Sequence, residues 1–114
     1  DRLHARGAAL NALRLRELRF TGPGTDLRVK LSPLSFFDGG SKRSKDGVLF
    51  TANIPTEEVF STPDCRGTEG VVRVTRPVPV NGVMVRDLVM RFEQGRIVSF
   101  EASAGGEMFG AFID

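Results

Sequence analysis

The chain has 114 residues, 40% of them hydrophobic and 26% charged, which fits one globular domain and excludes a disordered tail. Its 16 Lys and Arg against 14 Asp and Glu leave a net charge of +2, so a pI of 9.2 does not mark a nucleic-acid binder. A lone cysteine, Cys65, excludes an internal disulfide and suits a reducing, cytoplasmic setting, and no apolar run reaches the ~18 residues of a membrane span or the core of a signal peptide.

Residues 3 to 15 read as a helix, with Leu3, Ala9, Leu10 and Leu13 near helical spacing and arginines between them. Gly7 weakens that helix by about 1 kcal/mol relative to alanine. From Leu15 the period changes to two: Leu18 and Phe20 alternate with Glu17 and Arg19. Gly22-Pro23-Gly24 then turns the chain into a strand from Asp26 to Leu31. Leu27, Val29 and Leu31 take one face of it, and Asp26, Arg28 and Lys30 the other. The two segments are expected to pair as an antiparallel hairpin.

Residues 32 to 47 read as loop, punctuated by Gly39-Gly40 and Asp46-Gly47, and Val48 to Phe50 as a short strand. Thr56 to Phe60 reads as extended, with a turn at Pro63. In the second half, Val71 to Thr75 is a strand, Asn81-Gly82 a turn and Val83 to Phe92 a long strand. Glu93-Gln94-Gly95 turns the chain back into Arg96 to Ala102, and Glu107 to Ile113 starts a last helix. The expected fold class is α+β: an antiparallel meander with an N-terminal helix and a short C-terminal one.

The segment Asn53-Ile54-Pro55-Thr56-Glu57-Glu58-Val59-Phe60 is unusual in setting two carboxylates side by side in an extended run. Neighbours on a strand face opposite ways, so Glu58 would share a face with Thr56 and Phe60, and Glu57 the other with Val59. A carboxylate beside apolar neighbours is costly unless a cation or an arginine compensates it. The plain alternative is two exposed glutamates on an edge segment.

Little else invites chemistry. A catalytic zinc site takes three protein ligands, and this chain has one histidine and one cysteine. His4 is expected exposed on the first helix, and Cys65 is expected to be an ordinary thiol in a loop. Neither a nucleophile elbow nor a phosphate-binding glycine loop is present. Lys42, Arg43 and Lys45 cluster in a Gly/Ser loop without interleaved aromatics, a weak basis for nucleic-acid binding.

Taken in order, several segments resemble the thermophilic-type metalloaminopeptidases, the group of AmpS, PepS and aminopeptidase T. These are Phe20-Thr21-Gly22-Pro23-Gly24-Thr25-Asp26-Leu27, Gly39-Gly40, Asp46-Gly47-Val48, Asn53 to Phe60, Thr62-Pro63, Glu69-Gly70 and Gly95-Arg96. The resemblance implies a dinuclear enzyme using zinc, cobalt or manganese, which removes N-terminal residues from peptides with a free amine and works as a homodimer.

It further implies that Glu58 is a metal ligand, on the side of its strand where cations gather, and that Glu57 is not. It places the remaining ligands, the base included, in residues not among these 114, so no catalytic residue is expected within them and the isolated stretch is expected to be inactive. Lys30, Phe37-Asp38 and Cys65 depart from the family pattern, which leaves substrate preference open.

The opening at Asp1 without an initiator Met, and the ending on Phe112-Ile113-Asp114, make residues 1–114 read as one domain, an internal piece from the start of a catalytic domain. A competing reading is a β-rich interaction module with no catalytic history.

Overall fold

A computed structural model describes residues 2–114; Asp1, expected to open the first helix, lies outside them. Helix α1 spans Arg2–Ala12. It ends before the expected residue 15, because Arg14 takes a left-handed conformation at φ 50° and its N–H bonds back to the Asn11 carbonyl at 3.1 Å. Strands β1 (Glu17–Gly22) and β2 (Thr25–Leu31) form the expected hairpin, with Leu18 opposite Val29 and Phe20 opposite Leu27.

Five strands build the main sheet in the order β1-β2-β5-β8-β9, every pairing antiparallel. Strand β5 is Pro63–Arg73, β8 is Val89–Glu93 and β9 is Arg96–Glu101. The β8–β9 turn has positive φ at both Gln94 and Gly95, the twist that suits a two-residue hairpin. Following the register across the sheet, Leu18 and Phe20, Leu27 and Val29, and Phe92 and Met90 share one face. Arg19, Arg28, Glu69 and Arg91 fall on the other. There Arg19 grips Asp26 through two side-chain bonds of 2.9 and 2.8 Å, which holds the Asp26 carboxyl below its usual range.

Two smaller hairpins are inserted between sheet strands. Strands β3 (Lys42–Arg43) and β4 (Leu49–Phe50) pair within the stretch expected to be mostly loop. Strands β6 (Val78–Val80) and β7 (Val83–Val85) pair around Asn81-Gly82, as that dipeptide signals. The long strand expected from Val83 to Phe92 is broken between β7 and β8, where Asp87 has φ 49°. Across this corner Leu88 is buried, only 2% exposed.

The principal apolar cluster is Val80, Val85, Leu88 and Phe109, with Met90, Ile97, Phe100 and others packed around it. Phe109 comes from helix α2, Gly106–Ile113, as expected for the chain's last element. Its ring meets Phe100 edge-on at 5.0 Å. Every residue of this cluster lies between positions 74 and 113. At the β1–β2 end of the same apolar face, Phe20 remains 50% exposed. The radius of gyration is 16.9 Å, against ~13 Å for a self-contained domain of this length.

Candidate functional site

Helix α1 serves as a clamp for the irregular chain beside it. Leu3 and Gly7, one turn apart, are its buried residues. A Cβ on Gly7 would stand 3.2 Å from the Phe37 carbonyl oxygen, so the residue that weakens the helix also lets it press close to that backbone. One further turn on, Asn11 brackets Phe37: its Nδ2 donates to the Phe37 carbonyl at 2.9 Å and its Oδ1 accepts the Phe37 N–H at 2.7 Å. His4 is exposed as expected, with Nε2 2.8 Å from the Ser41 carbonyl oxygen. The helix thereby fixes residues 37 to 41.

That stretch in turn fixes the segment carrying the paired glutamates. Asp38 and Phe60 exchange two backbone hydrogen bonds, each 2.9 Å. Between them Gly39 is buried against the Glu58–Val59 backbone: a Cβ there would meet the Glu58 carbonyl oxygen at 2.5 Å. Lys42 Nζ bonds the Asp38 carboxylate at 2.6 Å and stands 5.2 Å from the centre of the Phe60 ring. The Lys42 ammonium, helped by the Gly39 N–H, holds the Asp38 carboxyl below its ordinary range. Ser61 Oγ donates to the Phe36 carbonyl at 3.1 Å.

The run expected to be extended from Thr56 to Phe60 is not part of a sheet. Only Phe60 pairs, in an isolated bridge, and residues 51 to 59 run without a ladder. No sheet face divides Glu57 from Glu58, and both side chains are exposed. What separates them is a hydrogen bond: Asn53 Nδ2 donates to Glu58 Oε1 at 3.2 Å. The sequence pattern includes Asn53 in the segment without assigning it this contact. The spacing of an amide and a carboxylate around Pro55 is the signal that could have found it.

An open cleft of about 770 Å³ lies between the end of α1, the start of β1 and the end of β2, with Arg16, Lys30, Leu31 and Phe36 among its walls. A second, on the charged face of the sheet, is bordered by Arg28, Glu69, Arg91 and Arg96. Neither is lined by Glu57 or Glu58.

Among the described residues no three His, Cys, Asp or Glu side chains gather as a metal cage. Glu58 has the chemistry of one hard oxygen donor, and a catalytic ion needs more donors than that.

Other sequence candidates are not drawn to the same place. Cys65 is an exposed free thiol, but it sits within β5 and not in a loop. Strand β5 opens at Pro63, where the sequence suggests a turn; proline is tolerated as a strand's first residue. Of the three basic residues, Lys42 is engaged by Asp38, and Arg43 donates to the Gly47 carbonyl at 2.9 Å. Of the three, only Lys42 is ion-paired among the described residues, while Arg43 is tied to its own turn.

The whole chain, residues 1–114, matches the family model described as thermophilic metalloprotease (M29). It is 43% identical over 112 residues to aminopeptidase T of Thermus thermophilus, a match covering 98% of this chain and 28% of that protein. Aminopeptidase AmpS of Bacillus subtilis is 34% identical over 112 residues, covering 98% of this chain and 27% of the relative.

The solved structure of wild-type AmpT from Thermus thermophilus superposes with a TM-score of 0.89 at 42% identity, over 95% of this chain and 27% of that one. The chain thus spans a little over a quarter of the length of the relatives it matches. Sequence and fold together show that the chain belongs to the thermophilic metalloprotease (M29) family.

Proposed function

We propose that these 114 residues form the opening part of the catalytic domain of a cytoplasmic, dinuclear metalloaminopeptidase, in which Glu58 is one metal ligand. The observation that carries this reading is the match over the whole chain to aminopeptidases, together with the way Glu58 is presented. Its backbone is pinned against Gly39, its carboxylate is exposed, and no cation among the described residues neutralises it.

The partners of Glu58 at the metals come from residues other than these. Zinc, cobalt or manganese in such a pair supplies an activated water and a Lewis acid for the scissile carbonyl. The chain's own part is to hold one anionic oxygen donor at a fixed place. The substrate is a peptide with a free N-terminus, and the whole enzyme acts as a homodimer.

The test is hydrolysis of aminoacyl amides with added cobalt(II) or zinc, on the 114-residue chain and on an aminopeptidase-length chain that contains it. Activity is expected only in the longer one. In that chain Glu58→Gln keeps the side-chain shape and removes the charge, and activity should fall by at least about tenfold. A smaller loss would remove Glu58 from the metal centre, and robust activity of the short chain would contradict the assignment of the other ligands.

A further inference from the structure

Of the four carboxylates between Phe36 and Thr62, Asp38, Glu57 and Glu58 lie on the two segments that pack together beside α1, and each is treated differently. Asp38 is compensated: Lys42 and the Gly39 N–H both bond it. Glu57 has no hydrogen bond or ion pair among the described residues. Glu58 accepts a single bond, from the neutral amide of Asn53 to Oε1, at 3.2 Å. No other partner of Glu58 occurs among the described residues, so Oε2 carries no hydrogen bond from them.

A neutral donor has a particular effect on a carboxylate. A lysine or arginine at position 53 would also orient it, but its charge would compete with any cation approaching Glu58. An amide restricts the side chain's rotation and distinguishes the two oxygens while leaving the full negative charge available. That arrangement suits a metal ligand: bonds from outside the ion to a ligating carboxylate fix which oxygen points at it. The backbone of Glu58 is already held from the other side, through the contact of Gly39 with its carbonyl.

We propose that Asn53 is a positioning residue for the Glu58 carboxylate: its Nδ2 holds Oε1 so that Oε2 is presented to a divalent cation. The inference rests on the reading of Glu58 as a metal ligand, and its test separates the two. Asn53 touches neither ion nor substrate in this role; it acts only through Glu58.

The experiment is cobalt(II) binding to the aminopeptidase-length chain, read by titration calorimetry and by the visible absorption of the bound ion. Four proteins are compared: wild type, Asn53→Ala, Glu58→Gln and the double variant. Melting of the metal-free proteins controls for folding; Asn53 is exposed, and its truncation should leave this unchanged.

Asn53→Ala should weaken one cobalt site by about 10- to 100-fold and alter its absorption. In the Glu58→Gln background the same change should have no further effect, because the group it positions is gone. Loss of affinity in Glu58→Gln with wild-type affinity in Asn53→Ala would overturn the role of Asn53 and leave Glu58 as ligand. An equal loss from Asn53→Ala in both backgrounds would make Asn53 a general support for the loop and would overturn the proposal too. Wild-type binding by Glu58→Gln would remove the premise.

Discussion

Gly39→Ala is the most direct probe of how the glutamate segment is held. The added Cβ would lie 2.5 Å from the Glu58 carbonyl oxygen and 3.2 Å from Val59 Cα, both backbone atoms. Even the closest favourable carbon–oxygen approach is about 3.3 Å, so the two segments must part by roughly 0.8 Å. They cannot part freely, because Asp38 and Phe60, on either side of the contact, are tied by two 2.9 Å backbone bonds.

Overpacking of this kind costs about 1–3 kcal/mol, and stretching one of those bonds beyond use adds about 1 kcal/mol. A destabilisation of roughly 3 kcal/mol follows, which lowers a urea midpoint by about 1–3 M. Gly22→Ala is the control: a Cβ there meets nothing within 4 Å, and its φ lies outside the positive range. It should fall within about 0.5 kcal/mol of wild type. Paired urea titrations of the three proteins decide the matter. A midpoint for Gly39→Ala within about 0.3 M of wild type, the order of scatter of such extrapolations, would refute the close contact between residues 39 and 58.

Two further perturbations test other parts of the fold. Leu88→Ala empties a site that is 2% exposed amid Val80, Val85 and Phe109, and should cost about 2–5 kcal/mol, whereas Leu13→Ala, at 64% exposure, should cost almost nothing; equal midpoints for the two would contradict the placement of the core. Asp38 titrates below its usual range because of Lys42 first and the Gly39 N–H second. Its depressed folded value means that its stabilisation is fully present above the unfolded value of ~3.9 and disappears as pH falls through the folded one. Midpoints measured from neutral pH into that acid range should therefore fall less steeply for Asp38→Asn than for wild type, and parallel curves would show that the Lys42 pair is not formed.

The parts of the fold that were legible in the sequence are those set by neighbours along the chain. Gly22-Pro23-Gly24, Asn81-Gly82 and Gln94-Gly95 mark three hairpins, and alternation assigned the faces of β1 and β2. The features that escaped it depend on distant pairing. Strand β5 begins among turn-forming residues because Leu31 offers Pro63 a partner. The corner at Asp87 is hidden inside a run of valines and Leu88 that reads as one strand.

At the candidate site, the Thr-Glu-Glu-Val-Phe run stands out, but its conformation did not follow from period two. With no ladder at residues 51 to 59, there is no sheet face on which alternation could sort the two glutamates. The roles of Gly7, Asn11 and Gly39 come from contacts across the chain that no local pattern encodes.

The apolar cluster is drawn wholly from positions 74 to 113, so the chain before it is held by other means. Amides of β8, β9 and α2 are expected to exchange slowest, while the stretch from Phe36 to Thr62 lies outside that cluster and is held by its hydrogen bonds and by the packing of Gly39 on Glu58 and Val59. Glu58 lies on that second stretch. On the proposed role of Glu58 as a metal ligand, an ion at its carboxylate would also hold the surrounding loop, and slowed amide exchange there would register its arrival.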